Sequence, residues 1–186
     1  SLRQEKAQSY PRKFLYVGRL TESKGLDTLM AAFKKYRVMC PRPWSIVCVG
    51  NGPLEDRLRQ QPGITVEPFS DQATLAQYAQ QSGALVLPSL YEPWGVVVHE
   101  FALAGLPLLL SNKVGARSQF LVEGLNGYSF KAESTEDLAA QMCKLSSIAD
   151  SELLVMGVAS HQLASVLSPK VSAASFMSVL RRESCT

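Results

Sequence analysis

The sequence predicts an α/β protein: a Rossmann-like, doubly wound parallel sheet of about six strands with helices on both faces. Strand-like runs and helix-like segments alternate from Lys13 to Phe130. The strand-like runs are apolar throughout, as strands covered on both faces must be. Polar, glycine-containing loops follow them, and in such sheets ligands bind beyond the carboxyl ends of the strands.

The elements follow in order. Lys13–Gly18 (KFLYVG) reads as a buried first strand, bounded by Pro11 and Gly18. Lys24–Met39 carries Leu26, Leu29, Met30, Phe33 and Tyr36 at helical spacing, and Pro41 and Pro43 end it. Trp44–Gly50 (WSIVCVG) is a second strand. Asn51-Gly52-Pro53 turns into a helix running to about Gln61. Gly63–Pro68 holds a short third strand, and Asp71 is placed to cap a helix ending near Gln81. Ala84–Pro88 is the fourth strand. Val96–Ala104 is apolar almost all round and reads as a buried helix. Leu106–Ser111 and Gly127–Phe130 are the last strands, with a short helix over Ser118–Glu123 between them. Ser134–Ser147, Asp150–Leu167 and Pro169–Arg182 read as helices.

Composition narrows the class. The 186 residues suit one domain, and 46% apolar with 19% charged residues supplies a full core. A net charge of +3 does not point to nucleic acid, although it suits an anionic ligand if the cations converge. Cys40, Cys48, Cys143 and Cys185 form no CxxC pair, and no His lies at metal-ligand spacing from them. A reducing, cytoplasmic setting is expected, with Cys48 as a small core residue. No apolar run approaches the roughly 18 residues of a membrane span. The polar segment 1–12 is read as a linker and 13–167 as the folded domain; it contains no signal-peptide pattern.

Four loops could carry chemistry. After the first strand comes Gly18-Arg19-Leu20-Thr21-Glu22-Ser23-Lys24-Gly25. Arg19 leaves the strand end directly, and Lys24 is expected to open the next helix. A cation there conflicts with the positive end of the helix dipole, and a bound anion would relieve the conflict. Arg offers phosphate a planar fork and Lys a point charge. The competing reading is two solvated surface cations. The second loop, Gly50-Asn51-Gly52-Pro53-Leu54-Glu55, half-resembles a dinucleotide fingerprint, but Glu55 stands where the third glycine belongs and the strand is the second. It is read as a tight turn.

The third loop is the most informative: Ser89-Leu90-Tyr91-Glu92-Pro93-Trp94-Gly95, running into Val96-Val97-Val98-His99-Glu100. Gly95 gives the backbone room to approach a ligand. Glu100 sits in an otherwise apolar helix, where a buried carboxylate needs a partner. Ribose hydroxyls could be that partner, as in dinucleotide sites; a structural ion pair with an internal Arg is the alternative. His99 is read as a packed or surface histidine rather than a base. The fourth loop, Ser111–Arg117, is polar and glycine-containing but weak alone.

The order GRLTESKG, VGNGPLEDRLR, LVLPSLYEPWGVVVHEFALAGLP and NGYSF resembles the C-terminal domain of retaining GT-B glycosyltransferases, family 4, over about residues 13–147. The Glu92-x7-Glu100 spacing and the Arg19/Lys24 pair carry the resemblance. It implies that Arg19 and Lys24 hold the diphosphate of a nucleotide-sugar donor and stabilise the leaving nucleotide. It further implies that Glu92 contacts the donor sugar and Glu100 the ribose. Gly18, Trp94, Gly95 and Val96 would approach phosphate or sugar, and Phe69 would lie beside the base. No metal or other cofactor is implied. The sequence departs from the family in Ala116 for a second glycine, Gln119 for a glutamate, Trp94 for a phenylalanine, and Ser82-Gly83-Ala84 where an aspartate is common.

The resemblance also sets domain expectations. In that fold a separate N-terminal domain binds the acceptor, and these residues contain no second Rossmann unit. The chain is expected to be the donor-binding half, poorly active alone, with residues 168–186 forming a helix that packs toward the absent domain around Phe176, Met177 and Leu180. Family members serve polysaccharide, lipopolysaccharide, glycolipid and sucrose or trehalose pathways, and the full-length protein would sit in the cytoplasm or at the inner membrane face. A non-catalytic sugar-nucleotide-binding module and a sugar-nucleotide 2-epimerase on the same fold are the alternatives.

Overall fold

A computed structural model describes residues 9–166. The proposed C-terminal helix and its apolar patch at Phe176, Met177 and Leu180 lie outside the described residues. Six strands form one sheet: β1 (Lys13–Val17), β2 (Ser45–Val49), β3 (Ile64–Glu67), β4 (Ala84–Leu87), β5 (Leu108–Ser111) and β6 (Gly127–Phe130). Every pairing is parallel, and the order is β3-β2-β1-β4-β5-β6. That order reverses direction between β1 and β4, the point beyond whose carboxyl ends such sheets hold ligands.

Among the described residues, seven α-helices connect and flank the strands: α1 (Leu26–Met39), α2 (Glu55–Arg59), α3 (Gln72–Gln80), α4 (Val96–Leu103), α5 (Arg117–Phe120), α6 (Thr135–Ser146) and α7 (Asp150–Ser165). Helix α1 packs on α6, and α4 packs on α7. With α1 leaving β1 and α4 leaving β4, the two pairs form the layers that bury the sheet on both sides. Strands β4 and β5 are buried at every position, which is why their sequences show no alternation. Asp71 caps α3 as the sequence indicates, its carboxylate accepting from the Thr74 amide at 2.8 Å.

Three local readings are corrected. The helix expected from Lys24 begins at Leu26, and Lys24 instead ends a 3-10 turn, Glu22–Lys24. Gly25 separates the two, with φ 70°. A Cβ there would lie 1.9 Å from the Pro88 carbonyl oxygen, so the β1 loop reaches the β4 loop only through a glycine. The helix after Pro53 starts at Glu55, because Leu54 is tied back to the Leu20 carbonyl. Finally, α4 is not buried all round: Val98, Phe101 and Ala102 face the core, while Val96 and Glu100 are exposed.

Candidate functional site

The loops after β1 and β4 face each other across the reversal point. The Leu90 amide donates to the Ser23 carbonyl at 3.1 Å, and the Lys24 ammonium meets the Glu92 carboxylate at 2.5 Å. Both side chains are largely shielded, with exposures of 18% and 17%. Lys24, which does not open the helix, is thus neutralised from within the chain by a carboxylate. Backbone geometry fixes Glu92. Its amide donates to the Lys113 carbonyl at 3.2 Å, and its carbonyl accepts from Gly115 at 2.9 Å, forming a parallel bridge to Val114. The β5 loop, weak as a sequence signal, is thus the bed on which the β4 loop rests.

Arg19 is held differently. Its backbone carbonyl accepts from the Tyr16 hydroxyl at 2.7 Å, which anchors the start of the loop. Burial pushes the Tyr16 phenol well above its ordinary range, so the hydroxyl stays a donor. The Arg19 side chain itself is exposed, with no ion pair or hydrogen bond among the described residues. The structure leaves one cation of the loop available and the other engaged.

The remaining predicted residues line the same edge. Gly18 donates its amide to the Val49 carbonyl at 3.0 Å. Phe69, after β3, is 77% exposed, and its amide donates to the Asn51 side-chain oxygen at 3.1 Å. Asn51 is thereby a loop-positioning residue that sequence reasoning read only as a turn former; an Asx residue in a tight turn was the available signal. Trp94 is 46% exposed and meets Phe120 edge-on at 6.2 Å. Gly95 has φ 92° and precedes α4 without a side-chain cap, and it is buried beside Glu92. The amides of Val96 and Val97 lead the helix with no acceptor among the described residues, as the first turn of a helix leaves them.

The burial expected of Glu100 is corrected. The residue is exposed, and among the described residues neither an internal arginine nor any other partner binds its carboxylate. Four residues from Val96, it shares that residue's solvent-facing stripe of α4. His99 behaves as read: it stacks on Phe120 at 4.9 Å, and its Nε2 lies 3.1 Å from the Ala164 carbonyl. One of the departures also has a structural reason. Ala116 adopts ordinary right-handed backbone and is fully buried, so no glycine is needed there. Gly115 before it is needed, since a Cβ would lie 2.0 Å from the Pro93 carbonyl oxygen. Gln119 is exposed. No cluster of His, Cys, Asp and Glu suited to a metal ion occurs among the described residues. No helix among them is long and apolar enough to cross a membrane.

With this geometry in hand, the comparisons with known proteins are specific. The profile of the family described as "Glycosyl transferases group 1" matches residues 1–153. The chain belongs to the glycosyl transferases group 1 family. Glycogen synthase from Mycobacterium tuberculosis is 34% identical over 137 residues, covering 70% of this chain and 33% of that protein. D-inositol 3-phosphate glycosyltransferase from Nocardiopsis dassonvillei is 26% identical over 146 residues, covering 70% of this chain and 34% of that protein. This glycosyltransferase chain thus spans about a third of the length of the curated relatives it matches.

Solved structures agree on the fold. The pneumococcal O-GlcNAc transferase GtfA, solved with UDP and GlcNAc, superposes with a TM-score of 0.77 at 22% identity, covering 92% of this chain and 36% of that one. Sucrose-phosphate synthase from Thermosynechococcus elongatus gives 0.76 at 23% identity, covering 97% and 48%. The glycosyltransferase domain is therefore of the GT-B type, the Rossmann-like unit that the sequence predicted.

Proposed function

We propose that this domain is the donor-binding half of a retaining family 4 glycosyltransferase, moving a sugar from a nucleoside diphosphate to an acceptor hydroxyl. The observation that carries the reading is the meeting of Lys24 and Glu92 at the sheet's reversal point, with the free Arg19 guanidinium on the same loop. In this reading Arg19 and Lys24 hold the diphosphate and stabilise the negative charge that grows on it as the sugar departs. Glu92, rigidly seated on the β5 loop, addresses hydroxyls of the donor sugar. Glu100, exposed and unpartnered among the described residues, takes the ribose hydroxyls. Phe69 lies beside the base. The Gly18, Trp94, Gly95 and Val96 backbone lines the approach, with the helix α4 amides favouring an anion. The cations do the work a metal would otherwise do, so the donor site is proposed to be metal-free.

A uridine nucleotide is the favoured donor class, supported by the UDP bound to the structural neighbour GtfA. The acceptor would be bound by a further domain, as the greater length of the relatives suggests. Titration calorimetry with UDP, ADP and GDP, on the wild type beside Arg19→Ala and Glu100→Ala, tests the reading. One nucleotide should bind, and both substitutions should weaken it. Binding of none by the folded full-length protein sinks the proposal. Donor binding without transfer to any acceptor would favour the non-catalytic module instead.

A further inference from the structure

The loop after β1 carries two cations in unlike states. Arg19 is exposed and unpaired among the described residues, whereas Lys24 is already neutralised by Glu92 at 2.5 Å. An anion reaching Lys24 must therefore share it with a carboxylate. Both groups are more than four-fifths shielded, so the repulsion between that carboxylate and an arriving phosphate is screened less than it would be in bulk water. Glu92 cannot withdraw by moving its backbone, which is clamped between the Lys113 carbonyl and the Gly115 amide. Only its side-chain torsions are free.

What satisfies the carboxylate then decides what binds. A sugar on the terminal phosphate brings hydroxyl donors that can replace the ammonium at Glu92, as a desolvated carboxylate requires. A free nucleoside diphosphate has only phosphate oxygens at that end, its ribose hydroxyls lying toward Glu100 in this reading. We propose that the Lys24–Glu92 pair discriminates donor from product: the sugar-bearing nucleotide separates the pair, and the spent nucleotide is expelled as Glu92 reclaims Lys24. This rests on the donor-site reading above. It assigns Glu92 a role in selecting and releasing ligand as well as in contacting sugar.

The test is a calorimetric titration of the full-length protein with UDP, ADP and GDP, each beside its glucose conjugate. Glu92→Gln keeps the shape and removes the charge. In that variant the free diphosphate should bind about fivefold tighter or better than in wild type. Its conjugate should gain less or weaken, so that the ratio of the two affinities moves toward the free diphosphate. Glu92→Asp keeps the charge but draws the carboxylate back by one methylene, and should shift the ratio the same way by less. Thermal unfolding checks that each variant is folded. If wild type binds nucleotide and both variants bind the free diphosphate no better than it does, the inference is overturned and the donor site stands. If wild type binds no nucleotide, the donor-site reading falls and the inference with it.

Discussion

The two edges of the sheet are built on opposite principles. At the amino edge the groups around Trp44 are satisfied within the chain. Trp44 is 2% exposed, its amide donating to the Tyr36 hydroxyl at 2.7 Å and its ring packed 5.0 Å from Phe14 and 6.1 Å from Tyr10. The Tyr10 hydroxyl donates to the Gly83 carbonyl at 2.7 Å, and Arg12 lies over the Trp44 ring while pairing with Asp150. At the carboxyl edge, by contrast, Arg19 and Glu100 are exposed without partners among the described residues, and Phe69, Tyr91, Trp94 and Val96 are exposed apolar surface. The Trp44 cluster at one edge is packed for stability. The other keeps charge and apolar surface open, as the proposed donor edge requires.

Four substitutions would break or sharpen that contrast. The largest effect is expected at the amino edge, where Trp44→Ala should lower unfolding free energy by about 3–5 kcal/mol. Denaturant titration would read it, and nucleotide affinity of the remaining folded protein should be unchanged. Gly25→Ala, at the contact between the β1 and β4 loops, should cost about 1–3 kcal/mol through strain and displacement of Pro88. It should also weaken nucleotide binding, because Lys24 moves with it. A stability loss with intact binding would show that the loop contact does not position the site.

Arg19→Ala should do the reverse of Trp44→Ala. Nucleotide affinity should fall about tenfold, ~1.4 kcal/mol, with the unfolding midpoint unmoved. The smallest effect concerns Asp71. The Thr74 amide holds its carboxyl below the usual carboxylate range. Its contribution is therefore present above the unfolded-state pKa and is lost as pH falls through the lowered folded-state value. Thermal midpoints of wild type and Asp71→Asn should differ at neutral pH and converge in acid; a constant gap from neutral pH into acid would contradict this.

Much of the candidate site was legible before the structure, because the positions after each strand of a parallel sheet are fixed by the strands themselves. Arg19, Glu92 and Gly95 could be placed at the ligand edge from the alternation alone. Lys24 could be placed there too, but not its partner: a pair separated by 68 residues in sequence leaves no periodic trace. Glu100 could be placed at that edge as well, but it was expected to be buried because its neighbours are apolar. Hydrophobic composition does not reveal that Val96 and Glu100 share the open stripe of α4 beside the crevice. Gly83 shows the same limit. Its place before β4 departs from the family pattern, and only the packing explains it, since a Cβ would lie 2.6 Å from the Trp44 ring.

By itself, the sequence determined the layered α/β architecture, the run of the strands and the edge at which a ligand would lie. These follow from local periodicity and from the hand of strand–helix–strand connections, which a linear pattern carries in full. The tertiary structure decided which charges are engaged and which are free. That choice depends on distances between loops remote in the chain, where one carboxylate at 2.5 Å separates a neutralised Lys24 from an open Arg19.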